Sequence, residues 1–98
     1  DDKFTRDIRL LKKGLESDPN NERYLFYLGN SYLDSGQYQG AIDTYKKRIQ
    51  VGGWKEEVWY CYYSIGRAYK SLYFSNNLFN TNYTTLINLL YKRFFNSV

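Results

Sequence analysis

The sequence predicts an all-α chain of antiparallel helix-turn-helix units, about five helices in all, and three observations lead there. Leu25, Leu28, Gly29 and Tyr32 stand at i, i+3, i+4 and i+7, which puts them on one helical face. Tyr62, Ile65, Gly66 and Tyr69 repeat that pattern 37 residues later. Between and around these runs, Asp18-Pro19, Gly36 and Gly52-Gly53 interrupt the helical periodicity at intervals short enough to leave only helices of ordinary length.

The elements follow in order. From Phe4 to Ser17, Ile8, Leu11 and Leu15 keep helical spacing, with Gly14 as a point of close approach and Arg9, Lys12, Lys13 and Glu16 on the other face. Asp18-Pro19-Asn20-Asn21 ends this helix, because the residue before proline avoids the α region. Asn20 or Asn21 is placed to accept from the free N–H groups of the next helix. That helix runs from Asn21 to Ser35 and stops at Gly36, which suits the left-handed position after a helix end. Its partner runs from Gln37 or Tyr38 to Val51, with Ala41, Tyr45 and Ile49 on one face. Gly29 and Ala41 are the small residues where one backbone is expected to lie close to another. Gly52-Gly53 ends the partner, since glycine costs about 1 kcal/mol per residue in a helix relative to alanine. A fourth helix extends from Lys55 to Leu72, with Glu56 and Glu57 in its first turn near the positive end of the helix dipole.

After Leu72 the character changes. Tyr73 to Val98 contains no acidic residue and no glycine, and carries Asn at 76, 77, 80, 82, 88 and 96. Residues 73–98 are expected to be an irregular Asn-rich loop followed by a divergent terminal helix, distinct from the repeats of residues 1–72. Asn82 or Thr81 would cap that helix, from about Tyr83 to Phe95, with Leu86, Ile87, Leu90 and Phe94 inward. Low-complexity disorder over Ser75–Thr81 is the alternative. No clean counterparts of Ala41 and Tyr45 are visible here. Asn82-Tyr83-Thr84 matches an N-glycosylation acceptor, a match that chance in an Asn/Thr-rich segment explains.

A chain of 98 residues with 24% charged residues and a mean hydropathy of −0.68 is one small globular domain. No apolar run approaches the roughly 20 residues of a membrane-spanning helix, and no signal-peptide pattern is visible. The absence of Met and the start at Asp1 suggest a piece of something longer. Aromatics reach 20%, with 12 Tyr, which helical repeats use as core residues whose hydroxyls stay at the solvent edge. The competing account, a stacking surface for nucleic acid, lacks the clustered Lys/Arg stripe it needs at a net charge of only +4. Lys46-Lys47-Arg48 reads as the solvated C-terminal half of a helix.

One Cys and no His remove whole classes of chemistry. Cys61 forms no intrachain disulfide, the usual structural zinc sites are out of reach, and no Ser-His or Cys-His nucleophile pair exists. An independent enzyme would have to rely on scattered acids such as Asp34 and Asp43. The expectation is a non-catalytic chain with no cofactor and no metal, cytoplasmic, with no membrane or nucleic-acid partner.

Period, small-residue placement and glycine break resemble the tetratricopeptide repeat, although 37 exceeds its usual period of roughly 34 residues. The resemblance implies a short right-handed superhelix. Residues 4–17 would be the second helix of a partial repeat, 21–51 a complete repeat, and 55–72 the first helix of the next. More narrowly, RDIRLLKKGLESDPNNERYLFYLGNSYLDSGQY and YKKRIQVGGWKEEVWYCYYSIGRAY resemble the repeats that follow the catalytic domain in many family 2 glycosyltransferases. The most specific piece is Arg48 to Glu57 with its Gly-Gly-Trp, and the likeness covers Arg6 to Leu72. Such a parent implies a nucleotide-sugar-binding α/β domain with an Asp-x-Asp metal motif. This chain holds neither, because the adjacent acids Asp1-Asp2 and Glu56-Glu57 diverge.

The resemblance also implies a concave groove lined by first helices. The matching positions are Arg23, Phe26, Tyr27, Asn30 and Leu33, then Tyr60, Tyr63, Ser64, Arg67 and Lys70. An aromatic groove with three cations and an amide suits an extended, carboxylate-bearing peptide of a protein partner. Two other functions stand beside it: a glycan stacked on the Tyr faces, and a structural or self-associating array joined through uncapped repeat ends. The plain alternative is that Arg23, Arg67 and Lys70 only keep a helix face soluble.

Overall fold

In the computed structural model, which describes residues 2–76 and 83–95, the chain forms five helices, and no strand occurs among the described residues. They are α1 (Lys3–Ser17), α2 (Glu22–Asp34), α3 (Tyr38–Val51), α4 (Lys55–Asn76) and α5 (Tyr83–Phe95). Each helix packs on its successor where the two are described, α2 on α3 most extensively, and α2 also reaches α4. The all-α helical-repeat architecture that the spacing predicts is the architecture observed.

Local chemistry sets the ends. Asp2 Oδ1 accepts from the Thr5 N–H at 2.8 Å, and that bond holds its carboxyl below the ordinary Asp range. Of the two asparagines, Asn21 is the cap, accepting from the Tyr24 N–H at 2.9 Å. Gly36, at φ +80°, closes α2: its N–H reaches the Leu33 carbonyl while that of Gln37 reaches Tyr32. This paired pattern satisfies carbonyls the helix leaves free. α4 continues past Leu72 to Asn76, so Tyr73–Asn76 are helical rather than loop. The rest of the Asn-rich stretch, the cap at Thr81 or Asn82 and the Asn82 acceptor fall outside the described residues.

Ala41, Ile42 and Tyr45 of α3 meet Cys61, Ile65 and Ala68 of α4 in the central core, while Leu25 and Leu28 are buried on α2. Gly29 takes the flank of the Tyr45 ring rather than a neighbouring backbone: a Cβ there would stand 2.6 Å from a ring carbon. The Tyr45 hydroxyl donates to Asn30 Oδ1 at 2.5 Å, so the buried ring keeps a polar partner.

A looser version of this seating recurs between α4 and α5. Phe94 lies over Gly66, 3.7 Å from where a Cβ would be, and meets Tyr62 edge-on at 5.8 Å. Leu90, one turn earlier, is buried. Phe94 therefore takes beside Gly66 the place that Tyr45 takes beside Gly29, correcting the expectation for the aromatic, while Leu90, a large residue, is no counterpart of the small Ala41. Twenty-eight residues separate Gly66 from Phe94, against sixteen between Gly29 and Tyr45, and that longer interval hid the match.

A second correction concerns Arg48. Its side chain is fully buried rather than part of a solvated cationic flank. Nε donates to Glu57 Oε1 at 2.8 Å, and Nη1 donates to the carbonyl of Gly52.

Candidate functional site

Because α4 lies beside α2, their side chains build one continuous aromatic row. The Phe26 ring touches Tyr27 at 6.0 Å and meets Tyr60 edge-on at 5.7 Å. Tyr60 lies 6.2 Å from Tyr63, and Trp59 stacks on Tyr63 at 5.6 Å with the planes only 4° apart. Arg67 completes the row, its guanidinium carbon 5.8 Å from the Tyr63 ring centre. Trp59, Tyr63 and Arg67 follow at four-residue spacing, one above the other on α4. Trp59 is 65% exposed, Tyr27 48% and Tyr63 47%, too open for core residues.

Beside this row an open groove of about 810 Å³ runs between Leu33, Asp34 and Tyr38 on one wall and Tyr63, Arg67 and Lys70 on the other, reaching Phe74. Asp34 therefore places a carboxylate across from two cations. On the far side of Tyr63, Arg67 and Lys70, a smaller and mostly apolar cleft of about 370 Å³ opens against Ile87, Leu90 and Tyr91 of α5. The three side chains form a ridge that both hollows share.

Of the ten residues expected to line the groove, Leu33, Tyr63, Arg67 and Lys70 do so. Arg23, Tyr27 and Tyr60 are exposed outside it, Phe26 is half-buried and packs on the core, and Asn30 is half-buried and engaged by Tyr45. Ser64 departs from expectation: it is fully buried, and its hydroxyl has no hydrogen-bond partner. Its position on α4 turns toward α3, about a quarter-turn from Tyr63. Sequence reasoning missed Trp59, Asp34, Tyr38 and Phe74. The Trp59-Tyr63-Arg67 spacing would have revealed the first of these.

The arrangement is suited to binding. Among the described residues no group of three or more His, Cys, Asp or Glu side chains is placed to hold a metal ion. Burial pushes the Cys61 thiol up to about 12, with Arg48 partly opposing, so the group stays a protonated thiol. No helix of the described residues is long and apolar enough to cross a membrane.

Residues 10–43 match the tetratricopeptide-repeat family model. The matched stretch takes in the second half of α1, all of α2 and the start of α3, about a third of the chain. With the five packed helices, the match supports a tetratricopeptide-repeat domain and the class of helical-repeat modules that mediate protein–protein interaction. It carries no link to the repeats of glycosyltransferases. No curated protein and no solved structure matches the chain.

Proposed function

We propose that the chain is a protein-interaction module whose α2–α4 face takes an extended peptide carrying carboxylates. The observation that carries this is Arg67, stacked on the exposed Tyr63 ring and paired with no carboxylate among the described residues. A planar guanidinium held by an aromatic face offers a fork of donors that matches a carboxylate through two parallel bonds. The flanking rings supply rigid contact area at low entropic cost. Asp34 on the opposite wall repels acids at that end, so the acidic residue of the peptide belongs beside Arg67 and a basic or neutral one beside Asp34.

The test is titration of the chain with a Glu-bearing peptide, followed by tryptophan fluorescence. Arg67→Ala and Tyr63→Ala are each expected to weaken binding about tenfold, equivalent to about 1.4 kcal/mol. Unchanged affinity in both variants overturns the proposal.

One observation favours a second occupant. The nearly parallel Trp59–Tyr63 stack presents a flat aromatic platform on which a sugar ring can lie. On this account the chain is part of a larger protein such as a glycosyltransferase, as the likeness of its Gly-Gly-Trp junction implies, and the row holds a saccharide acceptor. Salt separates the two occupants: a charge-led peptide contact weakens as ionic strength rises, and sugar stacking hardly responds.

A further inference from the structure

Across α4 from the aromatic row, a separate cleft of about 440 Å³ lies among α3, α4 and α5, within the size range of small-ligand sites. Its apolar floor is Ile49, Tyr62, Ile65 and Phe94. Two cations from different helices converge at its rim on one ring. Lys46 Nζ of α3 is 5.9 Å from the Tyr69 ring centre and donates to the Tyr69 hydroxyl at 3.3 Å. The Arg93 guanidinium of α5 is 5.5 Å from the same ring centre and donates to the Tyr73 hydroxyl at 3.3 Å.

Like charges gathered around one ring repel each other, and Lys46 has no carboxylate partner among the described residues. The face of Tyr69 nevertheless attracts both cations at the rim of the cleft. Its hydroxyl oxygen accepts from Lys46, which leaves its own proton to donate outward.

We propose that this cleft binds a small amphipathic anion, with a carboxylate or phosphate held by Lys46, Arg93 and Tyr69 and an apolar ring or chain on the floor between α3 and α5. Tyr62, Ile65 and Tyr69 project from the side of α4 opposite Tyr60, Tyr63 and Arg67, so the site is independent of the peptide face.

Heteronuclear NMR titration of the full chain tests it, with phenylacetate, phenyl phosphate, neutral phenylacetamide and inorganic phosphate as probes. Phenylacetate or phenyl phosphate is expected to shift amides around Lys46, Tyr69 and Arg93, and whichever binds more tightly identifies the preferred head group. Lys46→Gln and Arg93→Gln, both at exposed positions, are each expected to weaken that binding about tenfold, as for loss of one charge-assisted contact. Arg67→Gln should leave it unchanged. The site is overturned if phenylacetamide binds as tightly as the anions, if both cleft variants bind like the original chain, or if inorganic phosphate alone matches phenyl phosphate. Shifts confined to the Arg67 side overturn it as well.

Discussion

Arg48 of α3 donates to Glu57 of α4 across 2.8 Å with its guanidinium wholly withdrawn from solvent. The same cation bonds the carbonyl of Gly52, and its Nη2, which makes no hydrogen bond, lies 3.8 Å from Glu22 Oε2 at the start of α2. One side chain thus ties the beginning of α2, the end of α3 and the first turn of α4. The Gly52-Gly53 junction permits this. Gly52 at φ +78° turns its carbonyl back to Arg48, and a Cβ on Gly53, itself at φ +96°, would press within 3.0 Å of the Glu22 carboxylate.

Breaking that arrangement from one side leaves a charge stranded in the core. Glu57→Ala is expected to cost about 3 kcal/mol, because Arg48 then has no close counter-ion. Glu22→Ala, at the longer and half-exposed contact, should cost under about 1 kcal/mol. Replacing both partners, Arg48→Met with Glu57→Leu, should recover most of the Glu57→Ala loss. Urea denaturation of the four chains measures the order.

Two glycines at the same repeat position should respond oppositely to alanine. At Gly29 the added methyl meets the Tyr45 ring at 2.6 Å, and overpacking of this kind costs about 1–3 kcal/mol. At Gly66 the nearest Phe94 atom is 3.7 Å away, an ordinary contact. Gly66→Ala should therefore raise stability by up to about 1 kcal/mol through helix propensity alone. Thermal melts of the two variants moving in the same direction would show that the ring seats are equivalent.

Cys61 is a buried thiol pushed from 9.0 up to about 12, chiefly by desolvation, and Tyr45 is shifted upward for the same reason. Both groups are neutral when protonated, so the folded state favours the proton. Their contribution to stability is fully present below the unfolded values and is lost as pH climbs through the folded ones. For Cys61 the urea midpoint should stay level up to about pH 9 and fall between 9 and 12, with a shallower fall in Cys61→Ala. At pH 8 the native thiol should react with a disulfide reagent only as fast as the chain unfolds.

Much of this was legible from residue spacing. Helical period, the proline junction and Gly36 are local signals, and local signals survive without a neighbour to complete them. Phe94 was not legible as the equivalent of Tyr45 because the intervening chain is longer, and equivalence there is a matter of which ring reaches Gly66. Trp59 was passed over because its exposure depends on how closely α2 approaches α4. Ser64 was misplaced onto the groove because a helical wheel without its partners does not say which edge α3 will cover.

By itself, the sequence determined about five helices and their order, because φ/ψ preference and apolar period act within a few residues; that Gly29 and Gly66 seat aromatic rings was decided by the packing. The tertiary structure alone decided the fate of the charges. Lys46, Lys47 and Arg48 are consecutive cations, yet only Arg48 is drawn into the core. The reason is that Glu57, Glu22 and the Gly52 carbonyl, brought together from three helix ends, offset the cost of taking its guanidinium out of water.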